Sequence, residues 1–228
     1  EEEIENRRWR FETQLEKRFG KYRNASFDTF RTTDKNLNRD DFSQDRDRVA
    51  GIVRRYAHWW AEHFHKADRD SQKASKRVLV LSGTPGCGKT HLSVSALRVL
   101  ALQGGLSWEA WPVSALMDAK KKSYDRKSPD PVPKCIQADV LLLDDLGNHR
   151  KTPDSVQILF DLFDGRSRMK KEGLALINTN AGKGPAFWRQ LISQSGGNQA
   201  DAVSDRIREA AVQVQMESAD GKAIPSWR

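Results

Sequence analysis

Val78-Leu-Val-Leu-Ser-Gly83-Thr84-Pro85-Gly86-Cys87-Gly88-Lys89-Thr90-His91 decides the fold of this chain. Val78 to Leu81 is an unbroken apolar run, the pattern of a strand buried on both faces. Gly83 to Thr90 satisfies G-x-x-x-x-G-K-[ST] at every position, and a helical stretch starts near His91 and covers Leu92 to Leu100. Strand, glycine loop and helix in that order form a cradle for an anion. Glycines let the backbone wrap so that several N–H groups point inward, and the helix N-terminus adds positive potential. Lys89 suits the β- and γ-phosphates of a nucleotide, and the Thr90 hydroxyl suits Mg²⁺. Residues 83–91 are therefore the expected nucleotide-binding stretch. A plain glycine-rich turn is the alternative, and the complete motif in its context argues against it. Cys87 occupies a variable position and reads as a small filler, and Cys135 as packing.

Downstream, Val140-Leu-Leu-Leu-Asp144-Asp145 is an apolar run that ends in two carboxylates. A buried strand ending in acids delivers them to the carboxyl edge of the sheet, where open α/β folds bind ligands. Asp144 is expected to hold Mg²⁺ and Asp145 to orient and deprotonate an attacking water. The other reading is a turn opener, since Asp-Asp-Leu-Gly also suits a strand exit. Leu174-Ala-Leu-Ile-Asn178-Thr179-Asn180 is a further strand, and Asn180, farthest past its apolar run, is the amide expected to reach the γ-phosphate or the water. Asp205-Arg206-Ile207-Arg208 lies in a helical stretch before a last alternating strand, Val212 to Met216. An arginine there can stabilise phosphoryl-transfer charge in a neighbouring subunit's site, or be one surface arginine among many.

Strand candidates at 78–81, 106–113, 140–143, 174–177 and 212–216 alternate with helical patterns at 92–100 and 156–163. That predicts an α/β fold with a five-stranded, mainly parallel sheet between helices. Ahead of it, residues 1 to about 24 read as an amphipathic helix, with Trp9, Phe11, Leu15 and Phe19 at helical spacing. A second helical pattern runs from Val49 to Phe64, with Trp59 and Trp60 expected more in the core than at an interface, and 66–76 reads as a linker. The domain division expected is a helical arm at 1–25, for a partner or self-assembly, and a main domain at 26–228. The Trp9, Phe11, Leu15 and Phe19 stripe either faces a partner or packs on the chain's own core. Pro129, Pro131 and Pro133 predict an extended loop.

Composition narrows the class. The chain has 228 residues, 37% hydrophobic and 31% charged, room for one sizeable α/β domain and a short appendage. Two cysteines do not make a disulfide framework, and no Cys/His cluster has zinc spacing. No apolar run is long enough for a membrane span and no signal-peptide pattern is present, so a soluble, cytoplasmic protein is expected. Lys and Arg outnumber Asp and Glu by 39 to 31, a net charge of +8 that suits a polyanionic partner. The densest excess is Lys120-Lys121-Lys122 with Tyr124, Arg126 and Lys127. Lysines for phosphates beside a ring for stacking suit single-stranded nucleic acid, although a charge run is often only a solvated helix end.

GTPGCGKT, VLLLDDLG, LINTN and the Arg206 region together resemble an AAA+ ATPase of the P-loop NTPase class. More narrowly, they resemble the DnaC/DnaI helicase-loader and IstB transposition-ATPase group. Ser26-Phe-Asp-Thr-Phe30, Leu159-Phe-Asp-Leu-Phe-Asp-Gly-Arg166 and the closing Ser226-Trp-Arg228 add to the likeness. The resemblance implies ATP as the nucleotide, Asn180 as first sensor, Arg206 as a finger acting in trans, and Arg228 as a second-sensor-like arginine. It implies a reduced or absent helical lid, for which 217–228 is too short. It also implies a ring or spiral homo-oligomer, with the 113–127 segment on single-stranded or, alternatively, duplex DNA. The function implied is ATP-dependent loading or remodelling of a partner on DNA. That partner is a replicative helicase in DNA replication or, in the alternative, a transposase. A small-molecule kinase shares the glycine loop, but the Asp-Asp strand end, Asn180 and the lack of an arginine-rich lid segment argue against it. A binding module that uses ATP only as an assembly switch is a further alternative.

Overall fold

The computed structural model describes residues 2–30, 43–66, 76–125, 128–169, 173–180 and 198–216. Along these residues run α1 (Glu2–Phe19), a 3-10 turn (Gly20–Tyr22), α2 (Ser43–His63), β1 (Val78–Ser82) and α3 (Lys89–Leu102). Next come β2 (Trp108–Pro112), α4 (Val113–Tyr124), α5 (Val132–Gln137) and β3 (Val140–Asp144). Last are α6 (Pro153–Ser167), β4 (Leu174–Thr179), α7 (Asn198–Ala210) and β5 (Ala211–Gln215). The five strands form one parallel sheet in the order β2-β3-β4-β1-β5, as the alternation of apolar runs and helical patterns predicts. Among the described residues no helix is long and apolar enough to cross a membrane.

Three elements depart from the sequence-based expectations, each for a local reason. Pro129, Pro131 and Pro133 do not keep their segment extended: Val132–Gln137 is a short helix. A proline in the first turn loses no hydrogen bond, because that N–H has no partner inside the helix. The apolar spacing places the helix near Val156, yet α6 starts at Pro153. There Thr152 and Ser155 form a capping box, with Ser155 N donating to Thr152 Oγ1 at 3.2 Å and Thr152 N to Ser155 Oγ at 2.8 Å. α2 begins at Ser43 rather than Val49, its first turn carrying Asp45 toward the positive end of the helix dipole.

The chain forms two compact units, one of Glu1–Ala67, Leu81–Leu106 and Val214–Arg228, the other of Asp68–Val80 and Ser107–Gln213. In the first, α1 and α2 both pack on α3. Phe11, Leu15 and Phe19 turn one face of α1 into this core, while Trp9 stays 62% exposed. Trp60 is buried and Trp59 is 43% exposed, its ring stacked on His63 at 4.6 Å. Arg98 of α3 keys α1 in place. It donates to Glu12 Oε1 at 2.9 Å, to Ala25 O at 3.0 Å and to Arg23 O, and lies over the Phe11 ring. Burial pushes the Glu12 carboxyl up, but Arg8 and Arg98 outweigh it and hold Glu12 below the usual carboxylate range.

In the second unit, Leu141, Leu143, Ala175, Ile177, Val78 and Val80 share a core with Leu116, Ile158, Leu162 and Val203 from the helices. The alternate residues Val140, Leu142, Leu174 and Leu176 are buried too, the burial of both faces that continuous apolar strands foretell. Arg166, on α6, is a buried hub. Its guanidinium donates to the carbonyls of Cys135, Ile136 and Ala138 at 2.6, 3.2 and 2.8 Å and to Leu174 O at 2.8 Å. Burial lowers its pKa to about 10. The hub ties α5, the entry to β3 and the first residue of β4 to α6, and so anchors the starts of both strands.

Candidate nucleotide site

The glycine loop lies in the first unit. β1 ends at Ser82, and α3 starts directly at Lys89 with Gly88 as its left-handed N-cap, φ 104°. Gly88 is required there on two counts. Its φ is costly for any residue with a side chain, and a Cβ would stand 2.6 Å from Cε2 of Phe30. Thr84, Pro85 and Gly86 are exposed, whereas Cys87 is fully buried beneath the loop, the filler role expected of it. Lys89 is buried, its Nζ donating to Gly83 O at 2.9 Å and Thr84 O at 2.8 Å and lying 3.7 Å from Cys87 Sγ. The ammonium is thus held at the loop by two carbonyls. Thr90 is half-buried on the first turn of α3.

His91, expected with the loop, turns its side chain to the 26–30 segment. Its Nε2 lies 2.9 Å from Ser26 O and 3.2 Å from Thr29 Oγ1. A carbonyl only accepts, so Nε2 carries the hydrogen. Burial lowers the His91 pKa, and the bond to Ser26 only partly opposes it. The sequence did not reveal that Phe30 packs on Gly88. Its signals were an aromatic residue in a polar stretch and the place of Phe30 in Ser26-Phe-Asp-Thr-Phe30.

The acid strand lies in the second unit. Pro112 is in register with Asp144 across β2 and β3, and Leu143 with Ile177 across β3 and β4. Asp144 is buried, and Asn178 Nδ2 donates to its Oδ1 at 2.6 Å. Asp145 is exposed, with φ 58°, the only non-glycine positive φ among the described residues. Such a conformation persists where the surroundings impose it, and active sites are common places for it. Here Leu146 N donates to Asn178 O at 2.9 Å and Asn148 N to Asp145 O at 3.1 Å. Asn180 Nδ2 donates to Asp145 Oδ1 at 3.3 Å, and Asn148 Nδ2 reaches the same oxygen at 3.5 Å. The structure thus brings Asp145 and Asn180 together. It also adds Asn178, which sequence reasoning passed over in favour of Asn180. Asn178 is on β4 and Asn180 is the first residue past it, and two amides so close at a strand exit were the available signal.

His149, in the loop after these acids, was also missed. It is buried, and neither ring nitrogen has a hydrogen-bond partner among the described residues. Burial first, then the charge of Lys151, lowers its pKa to about 4. The folded state therefore favours neutral His149. Its stabilisation is complete above the unfolded value near 6.5 and is lost as pH falls toward about 4, by up to about 3 kcal/mol. Melting curves between pH 7.5 and pH 5 are expected to fall more steeply for the wild type than for His149→Leu. Parallel curves would show that the acid sensitivity lies elsewhere.

Arg206 is half-buried on α7. Its Nη2 donates to Asp164 Oδ1 of α6 at 2.6 Å. In the lysine cluster, Lys120 Nζ pairs with Asp130 Oδ2 at 2.6 Å and lies over the Tyr124 ring. Tyr124 OH donates to Asp154 Oδ1 at 2.9 Å, and burial, then Asp154, raises its pKa. Only Lys121 and Lys122 of the three lysines are exposed, so the structure splits a patch that the sequence presents as one. Arg228, Arg126 and Lys127 lie outside the described residues.

The sequence was compared with known families and structures. Residues 69–222 match the model of the family described as IstB-like ATP binding protein. A search of curated proteins finds no match. Among solved structures, the chain is similar to the crystal structure of the DnaC helicase loader, with TM-score 0.59 and 20% identity over 86% of this chain and 98% of that one. It is similar to the crystal structure of DnaI, with TM-score 0.57 and 19% identity over 89% of this chain and 93% of that one. It is also similar to the replication initiator DnaA bound to AMPPCP and single-stranded DNA, with TM-score 0.56 and 14% identity over 87% of this chain and 51% of that one. At these identities the structural likenesses establish the AAA+ fold.

Proposed function

The chain belongs to the family of IstB-like ATP binding proteins, and from that membership we propose that it hydrolyses ATP, self-assembles in a ring or spiral, and loads or remodels a partner on DNA. The observation that carries the hydrolytic part is Asp145. It is an exposed carboxylate in a positive-φ backbone, hydrogen-bonded by Asn180 at the end of the neighbouring strand. A group held in that way can orient and deprotonate a water, while Asn180 fixes the carboxylate and meets the γ-phosphate.

In this reading residues 83–90 take the phosphates, with backbone N–H groups and Lys89 meeting their oxygens. The Thr90 hydroxyl and the Asp144 carboxylate are hard oxygen donors of the kind Mg²⁺ accepts, and Asn178 keeps Asp144 in one orientation. Bound Mg²⁺ would supply charge neutralisation at the phosphates. His91 contributes by holding the 26–30 segment, and Arg206 acts on a neighbouring subunit's nucleotide. Arg228 remains an expectation from the family likeness.

Helicase loading is the leading role, supported by likeness along nearly the whole of the DnaC chain. The family match favours the second role, a transposition helper that brings a transposase to target DNA. ATP turnover with and without single- and double-stranded DNA, alongside the mass of the ATP-bound assembly, tests the common part. DNA-stimulated hydrolysis by an oligomer is expected, and an inert monomer overturns it. Pull-down with a replicative helicase, set beside imaging of filaments on duplex DNA, separates the two roles.

On DNA, Lys121 and Lys122 are the expected phosphate contacts, since Lys120 is engaged by Asp130. Replacing both by alanine should weaken binding across sequences and reduce the salt slope by about 1.4, from roughly 0.7 per phosphate on single strands. ATP affinity should be unchanged. An unaltered slope would return the two lysines to ordinary surface.

A further inference from the structure

The surroundings of Arg206 in the second unit are unusual for an arginine that acts on another molecule. Nη2 is bonded to Asp164, and the guanidinium carbon lies 5.3 Å from the centre of the Phe160 ring. Nη1 is buried and has no hydrogen-bond partner among the described residues. Phe160 and Asp164 stand one turn apart on α6, so they present a ring and a carboxylate on the same face. α7 packs there and lays Arg206 across both. The second oxygen of Asp164 already holds another cation, Arg168 Nη2, at 2.8 Å.

A guanidinium that stabilises transferring phosphate presents its N–H groups to the phosphate oxygens. In this pose one terminal nitrogen is bonded to Asp164 and the other is buried with no acceptor among the described residues. A buried donor without a partner is destabilising, so the ion pair and the aromatic face hold the pose against an unmet donor. A phosphate that accepted from both nitrogens would relieve it. Arg168 makes the exchange feasible, because the carboxylate keeps a cation when Arg206 leaves.

We propose that Asp164 is a positioning residue that holds Arg206 back in the single chain, so that Arg206 reaches a neighbouring subunit's phosphate only by leaving that carboxylate. The inference rests on the trans reading of Arg206 given above. Assembly and release are then coupled: each interface must offer phosphate oxygens in place of one carboxylate oxygen.

The test is ATP turnover of the full chain as a function of its own concentration, for the wild type, Asp164→Asn, Asp164→Glu and Arg206→Ala. Asp164→Asn keeps the shape and removes the charge. It is expected to reach half its plateau at about three- to fivefold lower protein concentration, the range a partly exposed ion pair commands. Asp164→Glu should move back toward the wild-type curve. Arg206→Ala should lose concentration-stimulated turnover, and if it does not, the trans reading itself fails. If Arg206→Ala loses stimulation and Asp164→Asn also loses it, or needs more protein, Asp164 aids Arg206 and the holding role is overturned. An Asp164→Asn curve that overlays the wild type overturns it as well. Should Asp164→Asn lack a cooperative melting transition, Phe160→Leu takes its place, with a smaller shift in the same direction expected and an unshifted or opposite curve overturning the role.

Discussion

Replacing Lys89 by alanine is expected to abolish measurable ATP binding. The ammonium is buried beside the loop and held by two of its carbonyls, so it stands ready to exchange them for phosphate oxygens. A hydrogen bond to a charged group contributes about 1.5–3 kcal/mol, and contacts to two phosphates place the loss at roughly 10²–10⁴-fold in affinity. Titration of a fluorescent ATP analogue reads it, with a melting curve to show that the variant folds. Lys89→Arg keeps the charge but replaces a compact ammonium by a planar fork, and should recover little. A folded alanine variant with affinity within about threefold of the wild type would move the phosphate site away from residues 83–90.

Asp145→Asn is expected to leave ATP affinity nearly intact and to slow turnover by about 10²–10⁴-fold, the usual share of a general base. Asparagine is the informative replacement because Asp145 sits at φ 58°. Asparagine tolerates that region, so the backbone should stay in place, and its carbonyl oxygen can still accept from Asn180. Only the proton-accepting charge is lost. Alanine would combine the chemical loss with strain and blur the result. Single-turnover rates with bound ATP separate chemistry from binding and release. An asparagine variant that turns over at the wild-type rate would remove Asp145 from the reaction.

The fold was largely legible because β1, β3 and β4 are continuous apolar runs, β5 alternates, and the loop is a full motif. What stayed hidden depends on contacts between segments far apart in sequence. Arg166 appeared only as the last residue of a stretch that carries the family likeness, since nothing in its neighbours signals that it meets carbonyls of α5, of the entry to β3 and of β4. The prolines before Cys135 suggested a loop because their helix-compatible placement depends on where the first turn begins. In the acid strand, composition foretold Asp144 and Asp145, but only pairing of β3 with β4 assigns one asparagine to each. Lys120 to Lys122 shows the opposite limit. The sequence counts charges, and folding decides which of them Asp130 neutralises.

The Arg98 contacts bear on how a shortened protein should be interpreted. Removing α1 would do more than delete a region that could meet a partner. It would strip from Arg98, whose side chain is 14% exposed, both Glu12 and the Phe11 ring that its guanidinium lies over, and loosen the turn at 23–25 that leads into Ser26 and Phe30. From there the disturbance has a direct path to His91 and Gly88. A deletion phenotype in this chain therefore confounds lost recruitment with a weakened nucleotide loop. Point changes at exposed Trp9, which leave Arg98 paired, are the cleaner probe of recruitment.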